Sequence, residues 1–94
     1  MIARVYINGA TIMETPIIIQ HVIGKRYFAL SRIELDSRCI LLIKIFGTLD
    51  ELAELLDHVC IGDRINANGR LHGIRQHRFT CWARDVRIQH TSTH

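Results

Sequence analysis

One amphipathic helix set into an otherwise alternating chain limits the folds open to this sequence more than any other feature. It lies within the segment from Phe46 to His72. Leu49, Leu52, Ala53, Leu55, Leu56 and Val59 recur at helical spacing, with Asp50, Glu51, Glu54 and Asp57 on the other side. Thr48 followed three residues later by Glu51 is a capping-box pattern, which also puts acidic side chains near the positive helix end, and Gly62 is expected to stop the helix. The rest of the chain reads as strand. A lone helix with one apolar stripe is suited to plugging the open end of a barrel, so the expected fold class is all-β: a five-stranded barrel with one α-helix between strands three and four.

The strands follow from alternation and punctuation. Ile2 to Asn8 is a short β-rich run ended by Gly9, and Thr11 to Ile23 is an extended stretch in which Pro16 marks an edge or bend. Gly24-Lys25 is the expected turn, Arg26 to Ile33 the next strand, Glu34 to Ser37 a polar loop and Arg38 to Phe46 the third strand. Between Asp63 and His72, Ile65, Ala67, Gly69 and Leu71 alternate with Arg64, Asn66, Asn68, Arg70 and His72. His77 to Ile88 is the last strand, with Phe79, Cys81 and Ala83 inward, Arg78, Thr80, Trp82 and Arg84 outward, and a bulge at Arg84-Asp85. His90 to His94 is expected to fray. Among small all-β folds, the oligonucleotide-binding (OB) barrel has this layout.

A chain of 94 residues forms one domain, since chains divide at about 100 to 200 residues per domain. Hydrophobic content of 48% suits a compact core. The net charge of +3 conceals a segregation: residues 46 to 63 carry five acids and no Lys or Arg, whereas residues 64 to 94 carry six Arg against Asp85 alone. Arg forks onto phosphate and stacks on planar groups better than Lys does, so an anionic partner is favoured over none. Cys39, Cys60 and Cys81 are an odd set without a C-x-x-C pair, which indicates neither a disulfide framework nor a zinc ribbon and fits a reducing cytosol. No apolar run approaches about 18 residues and the first residues carry no long apolar stretch, so a soluble cytoplasmic protein is expected. The six histidines have no ligand spacing with a Cys or carboxylate, and there is no Gly-rich phosphate loop or nucleophile elbow. Neither a metal, nor another cofactor, nor catalysis is expected.

The candidate binding residues lie on outward strand positions. Trp82 shares a face with Arg78, Thr80 and Arg84, and a Trp among arginines on one strand face marks base stacking or an interface. Tyr27 is a second aromatic candidate. Arg64, Arg70, Arg75 and Arg78 surround the last hairpin and are candidates for phosphate contacts. On the third strand, Ile40, Leu42, Lys44 and Phe46 share one face and Cys39, Leu41, Ile43 and Ile45 the other. A barrel buries one face, so Ile40 and Leu42 are expected under a subunit partner or a ligand, while Phe46 either takes a base or packs beneath the helix.

Phe46-Gly47, Leu52-Ala53-Glu54, Gly62-Asp63, Gly69-Arg70-Leu71 and Ala83-Arg84-Asp85-Val86 occur in an order and spacing that resemble the bacterial single-stranded-DNA-binding protein (SSB) family. Asn8-Gly9, Pro16, Gly24 and Phe28-Ala29-Leu30 fit the same pattern, so the likeness covers nearly the whole chain. The resemblance implies an OB barrel that binds single strands without sequence preference, by stacking bases and holding phosphates, with Phe46 at a stacking position. Two further stacking positions fall on Ile40 and near Gln76, and the family's acidic C-terminal tail has no counterpart. PriB-like primosomal replication proteins, homodimers that bind single strands largely through basic residues, are similar in size and layout. A homodimer or homotetramer serving DNA replication, recombination or repair is the expectation, with Lys44 and Arg84 joining the binding set. The alternative is an OB module that recruits proteins through its apolar strand face and acidic helix. RNA is not separated from DNA at this level.

Overall fold

The structure is a computed structural model that describes residues 2–20, 24, 26–72 and 79–91. In chain order the elements are β1 (Ile2–Ile12), β2 (Ile17–Gln20), β3 (Tyr27–Glu34), β4 (Ile40–Gly47), α1 (Leu49–Leu55), β5 (Arg64–His72) and β6 (Thr80–Gln89). Hydrogen-bonded neighbours run β1-β5-β6-β4-β3, and Thr11 and Ile12 of β1 pair with Glu34 and Ile33 of β3, which closes five strands into a barrel. All pairings are antiparallel except β4 with β6, whose parallel register needs the crossover that α1 and β5 supply. This is the order of an OB barrel, with α1 after the third barrel strand. The short β2 is additional: among the described residues it pairs with β3 alone.

Alternation sorts the strands as expected. Leu41, Ile43 and Ile45 of β4, Ala29 and Ile33 of β3, Ile65 and Ala67 of β5, and Cys81 and Ala83 of β6 point into the core. Small residues line the β5–β6 contact because there the backbones approach closely. A Cβ on Gly69 would sit 2.5 Å from Cys81 Sγ and 2.9 Å from the Trp82 carbonyl oxygen, so this position needs glycine for space. Burial pushes the Cys81 thiol pKa up.

Several boundaries differ from the sequence expectation. Gly9 does not end β1; with φ of 69° it sits in a register shift between Ile7 and Ala10, and the strand continues to Ile12. The bulge bends the strand far enough to reach β3, so it closes the barrel. Arg64 stabilises that bend, donating from Nη1 to the Gly9 carbonyl at 2.8 Å, while the Gly9 N–H donates to Asn66 Oδ1 at 2.6 Å. Of the stretch from Thr11 to Ile23, Thr11 and Ile12 belong to β1 and Ile17–Gln20 form β2, with the bend before Ile17, while residues 21–23 lie outside the described residues. The β6 bulge falls where it was expected: Asn68 faces Arg84 but Asn66 faces Arg87, and Asp85 has φ of 50°.

Thr48 caps α1 and the full capping box forms with Glu51. The helix ends at Leu55, well before Gly62, and His58 at φ of 61° turns the chain back. Leu52 is 1% exposed and plugs the barrel mouth, Leu55, Leu56 and Val59 pack partly against the core, and Leu49 stays exposed. Phe79 was expected inward but precedes β6 and is exposed. The start of the tail is tied down instead of fraying: the Thr91 N–H donates to Asp63 Oδ1 at 3.1 Å, and His90 Nδ1 lies 3.0 Å from Asp63 Oδ2. Asp63 is fully buried and its Oδ2 also accepts the Cys60 N–H at 2.9 Å. Among the described residues, no helix is long and apolar enough to cross a membrane.

Candidate nucleic-acid interface

Because directly paired strand residues share a face, the register alone assembles the outer surface. One row reads Ile17, Leu30, Lys44, Trp82, Arg70 and Arg4 across β2, β3, β4, β6, β5 and β1. A second begins Ile19, Phe28 and Phe46 on β2, β3 and β4, and ends Arg84, Asn68 and Tyr6 on β6, β5 and β1. The face is apolar toward β2, aromatic at β4 and β6, and basic toward β1.

The aromatic part is continuous. Phe28 and Phe46 have ring centroids 5.9 Å apart, Phe46 and Trp82 5.3 Å, and Trp82 and His72 4.1 Å, each pair tilted by 32° to 54°. Such spacings are those of mutually stabilising rings. Lys44 Nζ lies 5.2 Å from the Phe28 centroid and 5.9 Å from that of Trp82, so its ammonium sits within cation–π reach of both. Phe46 and Trp82 are 41% and 43% exposed, so each shows an open ring surface. Beside them an open cleft of about 1280 Å³ runs toward the barrel mouth, lined by these two rings, by Arg4, Arg26, Arg70 and Arg84, and on the helix side by Glu51. Four arginines face into a wall that also presents flat apolar rings, a combination suited to a chain of phosphates carrying planar bases.

Of the sequence-predicted residues, Phe46, Lys44 and Trp82 come together, with Arg70 and Arg84 at their border. Arg75 and Arg78 lie outside the described residues. Arg64 does not belong to the group: it lies at the far end of β5, about 20 Å from Arg70 at strand rise, and its guanidinium is engaged by Gly9. Tyr27 takes the opposite face from the one expected, half-buried against the core with Ala29 and Ser31, and reaches the cleft only at the mouth. Its neighbour Phe28 occupies the outer position in its place. Ile40 is 49% exposed and Leu42 half-buried, both on the outer face near Phe79, whose carbonyl accepts the Leu42 N–H.

Sequence reasoning missed Phe28, Arg4 and the stacking of His72 on Trp82. The alternation of Ala29, Ser31 and Ile33 as one face of β3 was the signal that could have moved Phe28 to the other. His72 Nε2 is buried without a hydrogen-bond partner among the described residues. No group of three or more His, Cys, Asp or Glu side chains suited to a metal ion occurs among the described residues. No family model and no curated protein matches this chain.

Proposed function

We propose that the chain binds single-stranded DNA without sequence preference, as a cytoplasmic, homo-oligomeric OB protein of the SSB-like or PriB-like kind acting in replication, recombination or repair. The observation that supports this most is the run of rings Phe28, Phe46 and Trp82 bordered by Arg70 and Arg84 on one open face. Every base has a π-face, so a row of rings holds any sequence, and the arginines add a salt-dependent attraction to the backbone. Lys44 gives up its cation–π contacts as a base arrives and turns to a phosphate. The motif order shared with SSB proteins points the same way.

Trp82 is the chain's only tryptophan, so its fluorescence reports stacking at this one place. Titration with a thymidine oligonucleotide should quench it. Trp82→Ala should weaken binding, followed by electrophoretic mobility, by about 5- to 150-fold, the equivalent of about 1 to 3 kcal/mol for one stacked base. Unquenched fluorescence with no shifted band at low salt would rule the reading out.

A second reading, recruitment of a protein, is favoured by exposed apolar residues at Ile17 and Ile40. Recovery of a stoichiometric protein partner that survives nuclease treatment, with no oligonucleotide binding, would establish it instead.

A further inference from the structure

The strand registers contain one electrostatic irregularity. Basic residues in the described ladders face neutral partners: Arg32 faces Leu42, Lys44 faces Leu30 and Trp82, Arg64 faces Thr11 and Gln89, Arg84 faces Asn68 and Arg87 faces Asn66. The exception is Arg4 on β1, directly opposite Arg70 on β5. Residues so placed have Cβ atoms about 4.5 to 5.5 Å apart, and like charges there repel. Both side chains are exposed, and among the described residues neither forms an ion pair or a side-chain hydrogen bond. Arg84 adds a third positive charge one strand further on, two residues beyond Trp82. A fold that tolerates this pair gains when an anion sits between the two guanidinium groups.

Arg70 is also the direct partner of Trp82. The anion site and the aromatic site are therefore adjacent positions of a single row, Trp82, Arg70, Arg4, with neighbouring strands about 4.8 Å apart. We infer that Arg4 and Arg70 together clamp the internucleotide phosphate next to the base stacked on Trp82, so that the bound strand crosses the barrel from β4 over β6 and β5 to β1. This rests on the single-strand reading of the same face. It adds a path, and it adds Arg4, which no outward run around the last hairpin would select. The ligand group is a phosphodiester, since a bidentate arginine pair matches its two free oxygens and a lone carboxylate would not continue onto the ring.

The salt dependence of oligonucleotide affinity, read by Trp82 quenching, tests the clamp. Each phosphate contact contributes about −0.7 to the slope of log K against log salt for a single strand. Because both guanidinium groups meet the same phosphate, Arg4→Gln combined with Arg70→Gln should make the slope shallower by about 0.7 while quenching at saturation persists, and Arg4→Lys combined with Arg70→Lys should restore the wild-type slope. Either Gln variant alone should weaken binding at fixed salt with a smaller change of slope, which tests the clamp should the double variant fail to give the native circular dichroism spectrum. A wild-type slope in the double Gln variant, or a loss of about 0.7 in each single variant, with quenching intact, overturns the clamp on one phosphate and leaves the single-strand reading standing. Wild-type protein that neither binds nor is quenched overturns both.

Discussion

Asp63 shows how much one side chain can organise. Its carboxylate accepts the N–H groups of Cys60 and Thr91 and contacts His90, so it ties the turn before β5 to the chain leaving β6. The Cys60 N–H, then that of Thr91, hold its pKa below the ordinary 3.8; burial opposes this, and the His90 contact adds to the lowering. A carboxyl whose folded pKa is depressed stabilises the fold above its unfolded pKa, and that stabilisation disappears as pH falls from about 3.8 through the lower folded value. Asp63→Asn keeps one acceptor oxygen and loses the charge. Its melting temperature should lie below that of wild type at neutral pH, and the gap should narrow on acidification below about pH 4, measured by circular dichroism melts across the range. A gap that stayed constant down to pH 2 would mean that the charge of Asp63 contributes nothing.

Among the elements, α1 shows what the sequence made legible and what it hid. Its start is set by local chemistry: the Thr48 hydroxyl accepts the Glu51 N–H at 3.2 Å, and Glu51 returns a bond to the Thr48 N–H. Such a signal needs no tertiary partner, so the sequence displayed it. Its end was obscure because Leu56 and Val59 continue the apolar spacing while packing from a turn, and Gly62 at φ of 98° serves the entry to β5, donating its N–H to the Ile12 carbonyl. The same limit governs the candidate binding face. Trp82, Phe46 and Arg70 were readable from alternation within one strand, but Phe28 and Arg4 join them only through pairings between strands distant in sequence. Adjacent aromatics at Tyr27 and Phe28 leave the choice of face to that pairing. A helix of seven residues with one buried leucine depends on its cap. Thr48→Ala should cost about 1 kcal/mol, seen in urea as a lower midpoint with an unchanged m value. A midpoint equal to that of wild type would show that packing of Leu52 alone holds the element.

At the scale of the molecule, the outer face carries exposed apolar residues beyond the aromatic row. Ile40 lies at the end of β4 opposite Phe46, about 20 Å away at strand rise, and Leu42, beside Phe79, lies about 13 Å from Phe46. They carry no charge, so electrostatic attraction to a strand does not explain them. A domain this small buries only about 60% of its unfolded surface and gains from covering apolar residues with a second copy. The homo-oligomer proposed above would place its contact at Ile40 and Leu42, leaving the aromatic row open. Ile40→Glu would put a charge into that contact, while half-exposed Ile40 tolerates the change within the monomer. Light scattering coupled to size exclusion should then report wild type as an oligomer and Ile40→Glu as a monomer. Because Ile40 lies about 13 Å from Lys44 at strand rise, the monomer should still be quenched at Trp82 by a thymidine oligonucleotide. A monomeric wild type would remove the subunit role of Ile40 and Leu42. Loss of quenching together with loss of assembly would mean that the two regions form one site completed by the second copy.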